Sequence, residues 1–246
     1  MYSCDMNRNL TATVAAILVL GASSFAQGPE LPKPAKAAYF INPMVMDLSL
    51  IVPPPPAQDS AAVKDELAEL HRIQQTRTPA QVAAAQADNK EEDIFIFRTV
   101  LGDNFRAEDL PLTAALSAHV HKDVVAADDP LKAAFKRPRP YQFDATLHSV
   151  CGTVAPPNSY PSGHSFVGYL EAFTLAQIVP EKHREILERA DDYAHNRMVC
   201  GVHYLSDTVA SRSIAYAVFG YMLATPRFQI ELAAARAETR KHLRLN

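Results

Sequence analysis

The sequence predicts an all-α protein, a single-domain helical bundle whose working groups sit on helix ends and loops. Three observations carry the expectation. Ala- and Leu-rich stretches with only 8 Gly in 246 residues favour helix over strand. Apolar residues recur at intervals of three and four, and no stretch alternates apolar and polar residues for a useful length. Nothing like a long linker divides the chain, and a hydrophobic content of 48% is ample for one core.

Residues 1–26 read as a secretory signal. Arg8 leads, an apolar run follows from Leu10 to Leu20, and Ser24-Phe25-Ala26 offers a small-x-small cleavage site. A membrane anchor is the competing reading, but the run falls short of the roughly 18 to 20 residues that span a bilayer. No later segment is long and apolar enough, so no membrane span is expected in the mature chain. Residues 27–58 form an extended, Pro-containing segment, in which each Pro from Pro53 to Pro56 fixes φ and restricts the residue before it.

A helical domain is expected over 59–246. Asp59-Ser60 caps a helix whose Val63, Leu67 and Leu70 share a face, and it runs to about Gln75. Thr78-Pro79 opens the next, with Thr as cap and Pro at the first helical position, toward Ala87. Between Glu91 and Leu101, the residues Ile94, Phe95, Phe97 and Val100 predict a buried helix. Asp109 or a neighbour opens another through Leu112, Leu116, Val120 and Val124, and Asp129-Pro130 starts a short helix carrying Lys132. Pro138 and Pro140 end that helix and stiffen the backbone presenting Arg139. Tyr141 to Tyr160, with Gly152, Pro156, Pro157 and Asn158, reads as a surface loop suited to substrate selection. Phe166, Leu170 and Phe173 then restore a helical period, which puts Ser162, Gly163 and His164 at a helix N-terminus. Glu181 to Arg197 is a charged amphipathic helix. Leu205, Val209, Ala215, Val218 and Phe219 mark another with His203 and Asp207 in its first turn, and Phe228 to Leu245 closes the chain as an exposed helix.

A formal charge of −3 argues against a nucleic-acid partner, which wants a broadly basic surface. Export to the periplasm or beyond agrees with the cysteines. Cys4 leaves with the signal, and Cys151 and Cys200 remain as an even pair expected to bridge in an oxidising compartment, the alternative being two buried thiols. Homo-oligomer formation stays open.

The chemistry is concentrated between Lys132 and Asp207. Lys132 offers a point charge, Arg139 and Arg197 planar forks, and Ser162 and Gly163 a hydroxyl and an N–H at a helix N-terminus, where unpaired donors favour an anion. This is equipment for a phosphate. His203 precedes Asp207 by four, so on a helix the carboxylate can hold one ring nitrogen and leave the other free. Lys136 and Arg137 read as helix-end or rim charges. His119 and His121 read as helix-surface residues, because no Cys, third His or carboxylate stands at ligand spacing. Nothing in the sequence calls for a metal or another cofactor.

Lys132 with Arg139-Pro140, then Pro161-Ser162-Gly163-His164, then Arg197, His203 and Asp207 together resemble the three-part signature of the bacterial class A non-specific acid phosphatases. These belong to the type 2 phosphatidic acid phosphatase and vanadium haloperoxidase superfamily. One position departs: Asn196 stands where the family usually has Ser. The likeness extends to the Pro53 to Pro56 run, the Arg-Thr pairs and the C-terminal helical pattern. It implies an acid phosphatase domain over 59–246 that hydrolyses small phosphomonoesters of broad range without a metal. It further implies that His203 is the nucleophile through a phosphohistidine, held by Asp207, and that His164 is first the acid and then the base. Lys132, Arg139, Ser162, Gly163 and Arg197 would bind the phosphate. Those roles want His203 neutral and His164 cationic, and from an ordinary His near about 6.5 a mildly acidic optimum follows. A vanadium-dependent haloperoxidase, a lipid phosphatase of the same superfamily and a phosphate-binding protein without turnover are the alternatives.

Overall fold

Caps written in the sequence set where the helices begin. The computed structural model describes residues 36–245, so the signal expected over 1–26 and the start of the segment expected over 27–58 lie outside the described residues. Ser60 Oγ accepts from the Val63 N–H at 3.3 Å and opens α1 (Ala61–Thr76). Thr78 and Gln81 form a reciprocal capping box at the start of α2 (Pro79–Asp88). The buried helix expected near Ile94 is instead a 3-10 turn, Ile94–Phe97, followed by the one-turn α3 (Arg98–Leu101). All four residues of the 3-10 turn are buried, and the Asp93 carboxylate caps it by accepting from the Phe95 N–H at 2.8 Å.

A second departure concerns α4 (Pro111–Phe135), expected as two helices divided at Pro130 but running unbroken through it. Pro130 removes one main-chain donor, yet Ala126, Ala127, Asp128 and Leu131 are buried around it and packing holds the turn. The helix therefore delivers Asp128 and Lys132 from a single rigid rod. It ends at Lys136, whose φ of 46° is left-handed, and the chain passes to the short α5 (Pro140–Phe143). Then follow α6 (Gly163–Ile178), α7 (His183–Val199), α8 (Leu205–Leu223) and α9 (Pro226–Leu243). No strand forms among the described residues, so the all-α expectation holds.

Helix α6 is the hub. Twelve of its 16 residues are buried, and it packs on α4, α7, α8 and α9. A Cβ on Gly168 would meet Tyr193 Cδ1 at 2.6 Å, so glycine there lets α6 and α7 approach. Helix α9 is not the exposed helix expected, because Phe228, Leu232 and Ala235 are buried and it packs on α4. Its Glu238 caps the start of α4, accepting from the Leu112 and Thr113 N–H groups at 3.0 and 2.8 Å, as a carboxylate at a positive helix end should. His119 also departs from a plain surface position. Its ring stacks on Tyr39 at 3.5 Å and its Nδ1 lies 2.7 Å from Glu231.

A smaller core of Val63, Leu70, Ile73, Leu147, Val199 and Val202 fastens α1 and α2 to the segment between α7 and α8. The Cys151–Cys200 disulfide joins the loop after α5 to the end of α7 across a Cα separation of 5.3 Å. Closing 49 residues is worth about 4 kcal/mol in the chain-entropy account. No described helix is long and apolar enough to cross a membrane.

Candidate active site

Five chain segments end at one place. The last turns of α4 bring Lys132, the N-cap of α5 brings Arg139, and the N-terminus of α6 brings Ser162, Gly163 and His164. The last turn of α7 brings Arg197, and the start of α8 brings His203 and Asp207. Each anchor is local. Ser162 Oγ caps α6 by accepting from the Ser165 N–H at 3.4 Å, and the Ser162 N–H donates to Asp207 O at 3.2 Å. The first-turn N–H groups that follow, those of Gly163 and His164, have no acceptor within the helix.

His203 stands just before α8, not in its first turn as expected, with Tyr204 as the N-cap. The pairing with Asp207 survives because Asp207 folds back to accept the Tyr204 N–H at 2.9 Å. His203 Nδ1 is 3.2 Å from Asp207 Oδ2, and Arg139 Nη1 is 3.2 Å from His203 Nε2. A guanidinium has only hydrogens to offer. Nε2 must therefore meet Arg139 with its lone pair, and Nδ1 carries the ring proton toward Asp207. Burial holds the His203 pKa well below 6.5, and the charges of Arg139, Arg197, Lys132 and His164 press it in the same direction. The ring is neutral, and the four groups that act on it are four of those the motifs single out.

Asp207 is saturated. Besides His203 and Tyr204 it accepts from Ser159 Oγ at 2.6 Å and from Arg137 Nη1 at 2.6 Å. Burial raises its carboxyl to about 6, opposed by Arg137, Ser159 and the Tyr204 N–H. Arg137 overturns its reading as a rim charge. Its side chain is 1% exposed, its second arm reaches Glu66 of α1 at 2.9 Å, and its guanidinium lies 3.8 Å over the Tyr204 ring. The two carboxylates supply the reason, since a buried cation is tolerated only with partners.

Lys132 Nζ lies 3.1 Å from Asp128, 3.4 Å from Asn158 O and in contact with Pro161 O. Arg139 is steered by Asn158 Oδ1 at 2.9 Å and Val202 O at 3.1 Å. Arg197 donates to Asn89 Oδ1 at 2.8 Å while its buried Nε has no partner. Burial lowers Arg197 to about 10, so it stays charged at neutral pH. His164 Nε2 lies 3.3 Å from Asn89 O and 3.4 Å from Glu92. Burial, and then Arg197, bring its pKa down to about 4 against the pull of Glu92. The ordinary value near 6.5 thus applies to neither imidazole, and both are neutral before an anion arrives. Asn196 spends its amide on Asp88, 2.7 Å away, which Arg189 also holds at 2.6 Å. Its departure from the family pattern is absorbed in the contact between α2 and α7.

The geometry has a counterpart in known proteins. The model of the PAP2 superfamily matches residues 111–231, a span that contains every group just described except Glu66, Asn89, Asp88 and Glu92. A non-specific acid phosphatase of Salmonella typhi is 32% identical over 196 residues, 76% of this chain and 78% of that one. The chain belongs to the PAP2 superfamily, among the non-specific acid phosphatases. A non-specific acid phosphatase of Providencia stuartii is 27% identical over 246 residues, covering 95% of this chain and 98% of its own. An acid phosphatase of Zymomonas mobilis is 26% identical over 243 residues, covering 94% and 89%. This PAP2 protein is a phosphoric monoester hydrolase whose substrates are small molecules.

Sequence reasoning named Lys132, Arg139, Ser162, Gly163, His164, Arg197, His203 and Asp207, and all eight meet here. It read Arg137 as a rim charge and Asn158 only as part of a loop, and it passed over Asp128, Asn89, Glu92 and Ser159. Asp128 had a signal, standing four residues before Lys132 on a helix. The others come from segments whose approach no local pattern announces.

Proposed function

We propose that the protein is an exported, metal-independent acid phosphatase of broad range that works through a phosphohistidine on His203. The observation that carries the reading is the orientation of that ring, with its proton on Nδ1 toward Asp207 and its lone pair on Nε2 among the cations. Phosphoryl transfer asks the protein for positioning and charge rather than for new covalent machinery. Lys132, Arg139 and Arg197, with the Gly163 N–H and Ser162 at the head of α6, meet the non-bridging oxygens. Donors placed in advance are worth roughly 3 to 4 kcal/mol each to such a transition state.

Arg139 turns from Nε2 to the phosphoryl oxygens as the substrate arrives, which frees the lone pair for in-line attack on phosphorus. The two negative charges of the ester raise the His164 pKa, so that His164 becomes an acid in the complex although it is neutral beforehand. As the P–N bond forms and the P–O ester bond breaks, His164 gives its proton to the leaving oxygen. It then takes a proton from water, the resulting hydroxide oxygen attacks phosphorus, the P–N bond breaks and phosphate departs. Asp207 keeps the His203 ring in one tautomer throughout, and Arg137 keeps Asp207 in place.

Export is proposed from the signal expected over 1–26, with a mature chain from Gln27 whose catalytic domain is residues 59–246. The disulfide between Cys151 and Cys200 fits an oxidising compartment. The test is a rapid alkaline quench of the full mature chain with a phosphorus-labelled phosphomonoester in EDTA. Label that stays on the protein in alkali, is lost in acid and is missing from His203→Ala is the expected result. Turnover that stops in EDTA, or labelled protein from His203→Ala, overturns the mechanism.

A further inference from the structure

Asp128 is out of place in a nest for anions. It lies one turn before Lys132 on α4, is buried, and puts Oδ2 3.1 Å from Lys132 Nζ and 3.0 Å from where a Cβ on Gly163 would stand. Oδ1 is buried and has no hydrogen-bond partner. The other charges that reach it are Arg139, from the segment after α4, and Asp129 on α4 itself, which pairs with Lys36 at 3.3 Å. A carboxylate therefore stands among three of the groups proposed to receive the phosphoryl oxygens. Holding Lys132 accounts for Oδ2, which takes the third hydrogen of an ammonium whose other two go to the Pro161 and Asn158 carbonyls, but it leaves Oδ1 with no partner.

We propose that Asp128 Oδ1 shares one proton with a non-bridging phosphoryl oxygen, so that the site binds the substrate together with a proton. The proposal rests on the phosphate site described above. A carboxylate and a phosphate oxygen at hydrogen-bond distance repel when both are ionised and attract when one proton lies between them. The proton comes from solvent and sits on either oxygen, and no bond between heavy atoms changes. Burial already pushes the Asp128 carboxyl up against the opposing pull of Lys132, so the group is ready to take the proton. Acid preference would then enter through affinity as well as through the two histidines. A fully ionised ester would be penalised at alkaline pH even when the cations are intact.

The experiment measures inhibition by micromolar tungstate, a dianion of the same shape, with the full mature chain between about pH 6 and about pH 8. For Asp128→Asn, log Ki should rise with pH by about one unit less per pH unit than for the unaltered chain, as expected when one linked proton is removed. The variant should bind at least about tenfold tighter at the alkaline end. Weaker binding by the same factor at every pH, or no change at any pH, overturns the proposal. Calorimetry on the unaltered chain, in buffers of different ionisation enthalpy, covers the case of a variant that does not fold. Because anion binding also charges His164, the same measurement is made on His164→Ala, where uptake of about one proton per tungstate at the alkaline end supports the proposal and no uptake overturns it. Arg197→Ala separates the two levels. Loss of tungstate binding there with an unresponsive Asp128→Asn removes only the shared proton, whereas undiminished binding removes the phosphate site itself.

Discussion

The two imidazoles of the site sit in one field of charge but in different surroundings. The side chain of His203 is 2% exposed and engaged at both nitrogens, between Asp207 and Arg139. That of His164 is 20% exposed and touches the Asn89 carbonyl and the half-open Glu92, which also reaches toward His121 at 3.8 Å. One ring is fixed in tautomer and direction, as the nucleophile proposed above requires. The other is held loosely at the open side, where a leaving alcohol or a water molecule can reach it. The difference teaches that packing and charge separate the rings together, since Glu92 pulls the open His164 up while Arg139, Arg197, Lys132 and His164 all press the enclosed His203 down.

Substitutions should separate the two sides. His203→Ala should lower kcat on p-nitrophenyl phosphate by more than about ten-thousand-fold, the scale on which removing a nucleophile acts. A loss under tenfold would reverse the assignment of the two rings. His164→Ala should cost about a hundred- to ten-thousand-fold on alkyl phosphates and clearly less on p-nitrophenyl phosphate, whose leaving group needs little protonation. Equal losses on both esters would remove His164 as the acid. Arg137→Ala strips the locked side of its support and leaves Asp207 and Glu66 facing each other without their cation. It should destabilise the fold by about 3 to 5 kcal/mol in urea unfolding, and a change under about 1 kcal/mol would mean that Asp207 is held by other means.

A pH slope reads the protonation of the rings themselves. The folded chain holds His164 at about 4 against an ordinary 6.5, and His203 also well below, so between those values the two rings bind more protons when unfolded, while Asp207, raised to about 6, and the upward-shifted Asp128 and Glu171 bind more when folded. Relative to His164→Ala, the stability of the unaltered chain should fall as pH drops from 6.5 toward 4, by up to about 1.4 kcal/mol per pH unit, and level off below the folded value. Thermal unfolding at several pH values checks this. Added phosphate should flatten the difference by raising the His164 pKa, and a melting temperature that rises relative to that of His164→Ala as pH falls through this window would contradict the depressed value.

Much of this was legible in the chain itself, for stated reasons. Ser60, Thr78 and Ser162 cap helices by chemistry confined to three residues, and Cys151 and Cys200, with Cys4 set aside in the expected signal, leave one partner for each. The eight site residues lie in short motifs where type and spacing carry the meaning. Arg137 was not legible, since its partners Asp207 and Glu66 lie 70 and 71 residues away and only tertiary packing turns a charge beside two prolines into a buried bridge. The continuity of α4 through Pro130 was hidden for a similar reason, because propensity counts the lost donor but not the burial on either side. His203 shows a third kind of miss, in which the i, i+4 spacing gave the right contact with Asp207 from a residue outside the helix.

The Arg139 guanidinium resting on His203 Nε2 also bears on what can harm this protein. An uncharged acylating reagent such as diethyl pyrocarbonate carries nothing to draw Arg139 away, so of the two rings in the site it should find His203 covered and His164 the more open. If Arg139 yields only to a guest with negative oxygens, as the proposed mechanism has it, His203 stays shielded from stray electrophiles until such a guest is seated.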